Sequence, residues 1–497
     1  MTGSLYAKFE ETFRRLPEKI ALRTPAARTW TFAELAAEAC RYANALEALG
    51  IEPGDRVTVQ IDKSPANLFL YLAVLGAGGV YQPLNPAYTE SETEYFVSDA
   101  SPKIAVCAPA RQRAMRDLGD RHQVQAVMNL DAEGMGSLAD LAARMDARHQ
   151  TVPRAADDLA GLVYTSGTTG RAKGAMITHD NLISNAEALV KLWRLQEGDT
   201  LLHALPVFHV HGLFVAINTA LMAGAGILWF PKFDAASAMA HLPQATVLMG
   251  VPTFYTRLLE QKSFAKETCR NMRVFISGSA PLLAATHREF STRTGHAILE
   301  RYGMTETGMI TSNPYDGARE AGSVGHALPG VSVRIRGEQP GVVEVKGPNV
   351  FKGYWRLPEK TAEDFTEDGY FITGDVGTLA DDGRLAIVGR AKDLVISGGF
   401  NVYPKEIEVL LDEMEGVVES AVIGVPHPDF GEGVVAVLAV TDACADETVI
   451  LGFLKHRLAG FKLPKRIFKV GELPRNAMGK VQKAALRERY REIFKTS

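Results

Sequence analysis

Apolar positions recur along this chain in two alternating rhythms. Between Thr31 and Gly50, residues Leu35, Ala39, Tyr42, Leu46 and Leu49 are spaced four and three apart, the period of one helix face. Thr31 and Glu34 form a capping-box pattern at its start, and Gly50 stands where a helix stops. VTVQI (57–61) follows as a strand, then an apolar helix near Asn67 to Leu75 and a Gly-rich turn from Gly76 to Gly79. Short apolar runs return at AGLVY (160–164), TVLMGV (246–251) and VFISG (274–278), each ending in small or polar residues. Helices alternating with such strands predict an α/β fold of layered, largely parallel sheets, with sites built at the C-terminal ends of the strands.

After about Val324 the pattern shortens. VSVRIRG, GVVEVKG and RLAIVGR read as strands of a β-rich subdomain. A charged step from Arg390 to Gly399 separates it from roughly one hundred residues that read helix, strand, strand, helix (EIEVLLDEM, ESAVIGV, GVVAVLAV, ILGFLKHRL), a small α+β module of independent size. Gly212 to Phe230 carries no charge, but its glycines, Asn218 and Thr219 fit a buried helix, a Gly224–Gly226 turn and a strand better than a membrane span.

Composition changes this picture little. The chain has 497 residues, 46% hydrophobic and 23% charged, with a net charge of −4, so nucleic acid and anionic membranes are not expected partners. From Leu451 onward, thirteen Lys/Arg face three Glu, a basic surface suited to a polyanionic cofactor. Cys40, Cys107, Cys269 and Cys444 lack metal-site spacing, and the start MTGSLYAKFEETF lacks a secretory pattern; a cytoplasmic location is expected.

YTSGTTGRAKG (164–174) concentrates the chemistry. Gly167 and Gly170 let the backbone approach an anion, Ser/Thr hydroxyls donate to phosphate oxygens, and Lys173 neutralises charge. The spacing is not that of a Walker loop. This string resembles the signature loop of the adenylate-forming superfamily of acyl-CoA synthetases, luciferases and peptide-synthetase adenylation domains. RYGMTETG (301–308), TGD (373–375), GRAKDLVISGGFNVYP (389–404) and PRNAMGKVQK (474–483) are similar to its later motifs, in its order.

The resemblance implies a large N-terminal domain over 1–391, holding ATP and the acid, and a mobile C-terminal domain over 392–497 with its hinge at Lys392. It implies that Thr165, Ser166, Gly167, Thr168, Thr169, Gly170 and Lys173 hold phosphates. Tyr302, with Gly303 and Met304, would flank adenine, Thr305 would touch the α-phosphate, and Glu306 would ligate Mg²⁺. Asp375 and Arg390 would bind the ribose, Lys480 would bridge the carboxylate and the α-phosphate, and Ser397, Gly398 and Gly399 would border the channel for CoA. One departure is Ala172, where many relatives have Pro.

Acid choice is expected in HVHGLF (209–214), GVPTFYTR (250–257), SGSA (277–280) and ERYG (300–303). Arg301 stands where many relatives have Gly, and Arg257 ends the second segment. Two guanidinium groups near a small pocket suit a second carboxylate. With HVHG, the combination resembles malonyl-CoA synthetases, which also take methylmalonate; there Arg257, Arg301 and Ser279 would hold the distal carboxylate, with His211 beside the acyl group. Phe208, Met304 and Met309 are expected to shorten the cavity. A synthetase for another short or aromatic acid is the alternative; a carrier-loading adenylation domain and a non-catalytic nucleotide-binding protein are further readings. Matching lysines in this family are acetylation targets, which makes a lysine acetyltransferase and deacetylase acting on Lys480 expected partners.

Overall fold

The computed structural model describes residues 3–165, 172–476 and 480–494. Among these, the Thr31–Glu34 capping box opens the helix Phe32–Ala48: the Glu34 amide donates to the Thr31 hydroxyl at 3.2 Å, and the Thr31 amide donates to the Glu34 carboxylate at 2.8 Å. The next helix, Pro65–Gly76, is buried on nearly all sides, which is why its sequence shows no polar face.

Two sheets form the body of the molecule. In the first, Ala126–Asn129, Ile104–Cys107, Arg56–Gln60, Val80–Pro83 and Leu159–Thr165 run parallel in that order, and Lys173–Thr178 closes the edge antiparallel. The second is nine-stranded, its six central strands (Ile20–Arg23, Gly226–Trp229, Thr200–His203, Val247–Gly250, Val274–Ser277, Leu299–Met304) running parallel and capped by antiparallel strands at both edges. One large hydrophobic cluster spans both sheets. The uncharged segment 212–230 lies inside it as a π-helical turn His211–Ile217, a helix Asn218–Ala223 ended by Gly224 in the left-handed region, and the strand Gly226–Trp229. No helix among the described residues is long and apolar enough to cross a membrane.

Ser332–Arg336, Gly341–Lys346, Phe371–Leu379 and Leu385–Arg390 form the β-rich subdomain as an antiparallel sheet. Beyond it, two separate hydrophobic clusters pack on the faces of a third kind of sheet, built on the long hairpin Val417–His427/Gly431–Val440. The helix–strand–strand–helix reading of this module is incomplete. Val395–Ser397, Phe400–Val402, Arg466–Val470 and the helix Lys483–Arg489 also belong to it. Two of those strands have three residues each, and Arg466–Val470 alternates within the basic stretch, so periodicity is weak there. A second difference concerns Lys173. It lies in a strand and pairs with Thr165 of the preceding one.

Candidate active site

The hairpin Leu299–Met304/Gly308–Ser312 brings the central residues together. At Gly303 a Cβ would lie 2.1 Å from the Gly308 carbonyl oxygen, so only glycine allows this tight return. The turn between them, with half-buried Thr305 and buried Glu306, is pinned from two sides. Asn185 exchanges hydrogen bonds with the Met309 backbone at 3.0 and 2.9 Å, and the Asn349 amide donates to the Thr307 carbonyl at 2.7 Å.

On one side of this turn the Tyr302 hydroxyl donates to Asp375, whose carboxylate meets Arg390 at 2.7 Å across adjacent strands. Asp375 is buried, and burial lifts its pKa despite Arg390. On the other side the Tyr354 hydroxyl donates to Glu306 at 3.2 Å, and the Lys173 ammonium sits 4.1 Å from the centre of the Tyr354 ring and 3.6 Å from Asp364. Burial raises the pKa of Glu306 even though Arg390 and Lys173 pull it down. A buried carboxylate in that condition is short of positive charge. Among the described residues no group of three or more His, Cys, Asp and Glu could hold a metal ion, so a cation at Glu306 would need its remaining ligands from a bound polyphosphate, the habit of Mg²⁺.

Lys480 reaches the same cleft from the small module. As a residue it is exposed, yet its ammonium sits in a protein environment that shifts its titration. Burial lowers its pKa, Arg390 and Arg301 lower it further, and Asp375 and Glu306 oppose them. The ammonium therefore feels the hairpin residues and the β-rich sheet at once.

A pocket for an acid opens beside these groups. Arg301 is 4% exposed, its Nε and Nη2 have no hydrogen-bond partner among the described residues, and burial pushes its pKa down to about 9. Its guanidinium lies flat on Gly278, where a Cβ would come within 2.3 Å. Next to it Ser279 takes a left-handed backbone (φ 70°), a conformation that costs a serine about 1 kcal/mol and that concentrates at functional sites. The Ser279 hydroxyl meets His211 Nδ1 at 3.1 Å, and the buried His211 Nε2 is unpartnered. Burial, with Arg301 as the next cause, holds His211 well below its usual pKa; burial with Lys480 and Arg301 pushes His209 down to about 3. Both rings are neutral at neutral pH. A fixed cation with unused donors, a neutral imidazole and a strained serine form a receptor for a small anion.

The structure thus gathers Tyr302, Gly303, Met304, Thr305, Glu306, Asp375, Arg390, Lys480, Lys173, Thr165, His211, Ser279 and Arg301 around one cleft. Ser166, Gly167, Thr168, Thr169 and Gly170 lie outside the described residues. Arg257 is exposed on the helix Pro252–Leu259, whose Tyr255, Leu258 and Leu259 are buried. Ser397 is buried, and Gly398 and Gly399 form an exposed two-residue hairpin turn, both with positive φ. Lys392 is exposed in the short turn Ala391–Asp393. Tyr354, Asp364, Asn185 and Asn349 were missed by sequence reasoning; GY at 353–354 follows a turn and carries no chemical pattern of its own.

Comparison with known proteins agrees with this geometry. The family model for AMP-binding enzymes matches residues 9–355, and that for the AMP-binding enzyme C-terminal domain matches 406–480. A malonate–CoA ligase of Arabidopsis thaliana is 35% identical over 484 residues, covering 89% of this chain and 79% of that protein. The crystal structure of ATP-bound MatB from Rhodopseudomonas palustris is 54% identical with a TM-score of 0.97, covering all of both chains. Apo MatB from the same organism is 55% identical over the same coverage, with a TM-score of 0.85. Of these two structures the ATP-bound one superposes better on this chain.

Proposed function

This chain belongs to the AMP-binding enzyme family, and on that premise we propose that it joins malonate to CoA, converting ATP to AMP and pyrophosphate. The observation that carries the choice of acid is Arg301: a buried guanidinium with two unused donors, 4% exposed, beside His211 and Ser279. Burying such a charge unpaired is costly, and a distal carboxylate relieves that cost. A monocarboxylic acid would leave it in place. Methylmalonate adds only a methyl group and belongs to the same class.

In the first half-reaction a carboxylate oxygen of malonate bonds to the α-phosphorus, and the bond from that phosphorus to the pyrophosphate oxygen breaks. Two anions must approach each other, so neutralisation and alignment supply most of the acceleration. Lys480 places its ammonium between the acid pocket and the ribose-binding pair Asp375–Arg390, where it stabilises charge growing on the α-phosphate. Tyr302 flanks adenine, Thr305 contacts the α-phosphate, and Thr165 and Lys173 flank the phosphate turn. Glu306 would hold Mg²⁺ together with the phosphates, and that ion would supply positive charge to the departing pyrophosphate. Arg301, Ser279 and His211 hold the distal carboxylate and turn the other one toward phosphorus.

In the second half-reaction the CoA sulfur, its proton lost, bonds to the acyl carbon and AMP leaves. The module beginning at Lys392 re-orients for this step, since Lys480 and the Ser397–Gly399 hairpin stand on different parts of it. Two observations support a boundary at 391/392: the module has its own hydrophobic clusters, and Arg390 ends the last strand of the preceding sheet. The four cysteines are unbonded, which supports a reducing, cytoplasmic setting. Lys480 is exposed as a residue, and we assign it to control by lysine acetylation, which erases the charge adenylation uses. Acetyllysine incorporated at 480 should suppress adenylation; an unchanged rate would remove that assignment.

The acid assignment is tested by exchange of labelled pyrophosphate into ATP over a panel of acids. Malonate and methylmalonate should support it, with acetate, benzoate and fatty acids about 10⁴-fold weaker. Equal exchange with acetate would leave the adenylation machinery standing and take malonate away.

A further inference from the structure

Beside the acid pocket lies a half-buried lysine that the reaction just described does not use. Lys63 sits in the loop after the strand Arg56–Gln60 of the first sheet and extends to the end of Thr200–His203 in the second. Its ammonium contacts His203 Nδ1 at 2.7 Å, donates to the His203 carbonyl at 2.8 Å, and lies 4.5 Å from the centre of the Trp229 ring, which is itself stacked on the His203 ring at 5.0 Å. Burial drives the pKa of Lys63 far down without an offsetting carboxylate. On its far side, His203 Nε2 is 2.8 Å from the Gly212 carbonyl oxygen.

The chemistry of these contacts fixes the protons. A carbonyl only accepts, so Nε2 of His203 carries the hydrogen and Nδ1 is a lone pair, and Lys63 supplies the donor that lone pair needs. With the other tautomer, two lone pairs would face each other at 2.8 Å. Gly212 is confined on its opposite side as well, since a Cβ there would lie 2.1 Å from the Pro206 carbonyl oxygen. It is the second residue of the π-helical turn His211–Ile217, whose first residue presents the imidazole to Ser279. Wide turns of this kind are rare and recur at functional sites.

We propose that Lys63 and His203 are positioning residues of the acid pocket: Lys63 selects the tautomer of His203, and His203 pins Gly212 so that His211 is held against Ser279 beside Arg301. The proposal rests on the reading of that pocket as the acid site. It adds a support reaching across from the other sheet, with a defined proton arrangement. Groups outside the first ring of contacts act in this way at many reactive sites, and their loss typically costs 10- to 100-fold.

The test uses the full chain with malonate and ATP varied in turn. H203F keeps a ring against Trp229 and removes the donor to Gly212; it should raise KM for malonate roughly 10- to 100-fold and leave KM for ATP unchanged. H203Q offers an amide N–H to the same carbonyl and should recover most of the loss. K63M should follow H203F. A second readout is independent of the acid: in protein labelled with ¹⁵N-histidine, the ring absent from H203Q spectra should be protonated on Nε2 in the wild type and lose that preference in K63M. Equal rises in both KM values, an untouched malonate KM in folded H203F, or a proton on Nδ1 in the wild type would each overturn the proposal. Should K63M fail to fold, the H203F and H203Q pair decides the matter. A wild type that accepts acetate as well as malonate would instead sink the acid reading, and the tautomer result would still stand or fall separately.

Discussion

Replacing Arg301 with methionine is expected to remove malonate-dependent pyrophosphate exchange by about 10⁴-fold while leaving the folded protein as stable as before or more so. Most substitutions of a buried, tightly packed residue lose both activity and stability, so the divergence is the diagnostic. Arg301 is almost wholly enclosed, two of its guanidinium nitrogens have no partner among the described residues, and no described carboxylate neutralises it. Its depressed pKa has burial as the first cause, with Tyr255 the one group acting against it. A charge held this way stores a desolvation cost that the empty enzyme carries and the bound acid relieves. Methionine has similar length and no charge, so the variant loses that cost and gains about 1–4 kcal/mol where it packs well. Chemical denaturation without ligands reads the stability, and the exchange assay reads the function. If R301M proved strongly destabilised, the guanidinium would be a structural tie instead of a vacant anion receptor.

Lys480→Ala carries the second large effect: the adenylation rate should fall about 10²- to 10³-fold with ATP affinity nearly intact. Among the described residues, the hydrogen bonds of Lys480 run from its backbone to Asn476. Its influence on the cleft is the charge itself, placed where Asp375 and Glu306 attract it and Arg390 and Arg301 repel it. That balance leaves the ammonium free to follow negative charge as it develops. Conversion of an externally supplied acyl-adenylate with CoA should survive the substitution, because the proposed re-orientation of the module would take the lysine away. Undiminished adenylation in K480A would undo the assignment of this loop to the cleft chemistry.

The alternation of helices and strands, the capped helix after Thr31, the buried uncharged stretch before Phe230 and the separate terminal module were all legible in the sequence, because each is a local property of spacing and punctuation. So were several residues that the fold brings to one cleft, since Tyr302, Glu306, Asp375 and Lys480 sit in contiguous strings whose order along the chain carries information. Tertiary structure alone gave Arg257 and Arg301 different surroundings. The two share a side-chain type, but one is exposed on a short helix and the other buried within the strand Leu299–Met304. Nor could spacing reveal that Lys63 meets His203 140 positions away, or that Tyr354 supports Glu306. Local pattern decides which way a chain folds over ten or twenty residues. Which charges end up dry, and which donors are left waiting for a ligand, depends on surfaces brought together from distant segments, and that is settled only when the sheets pack.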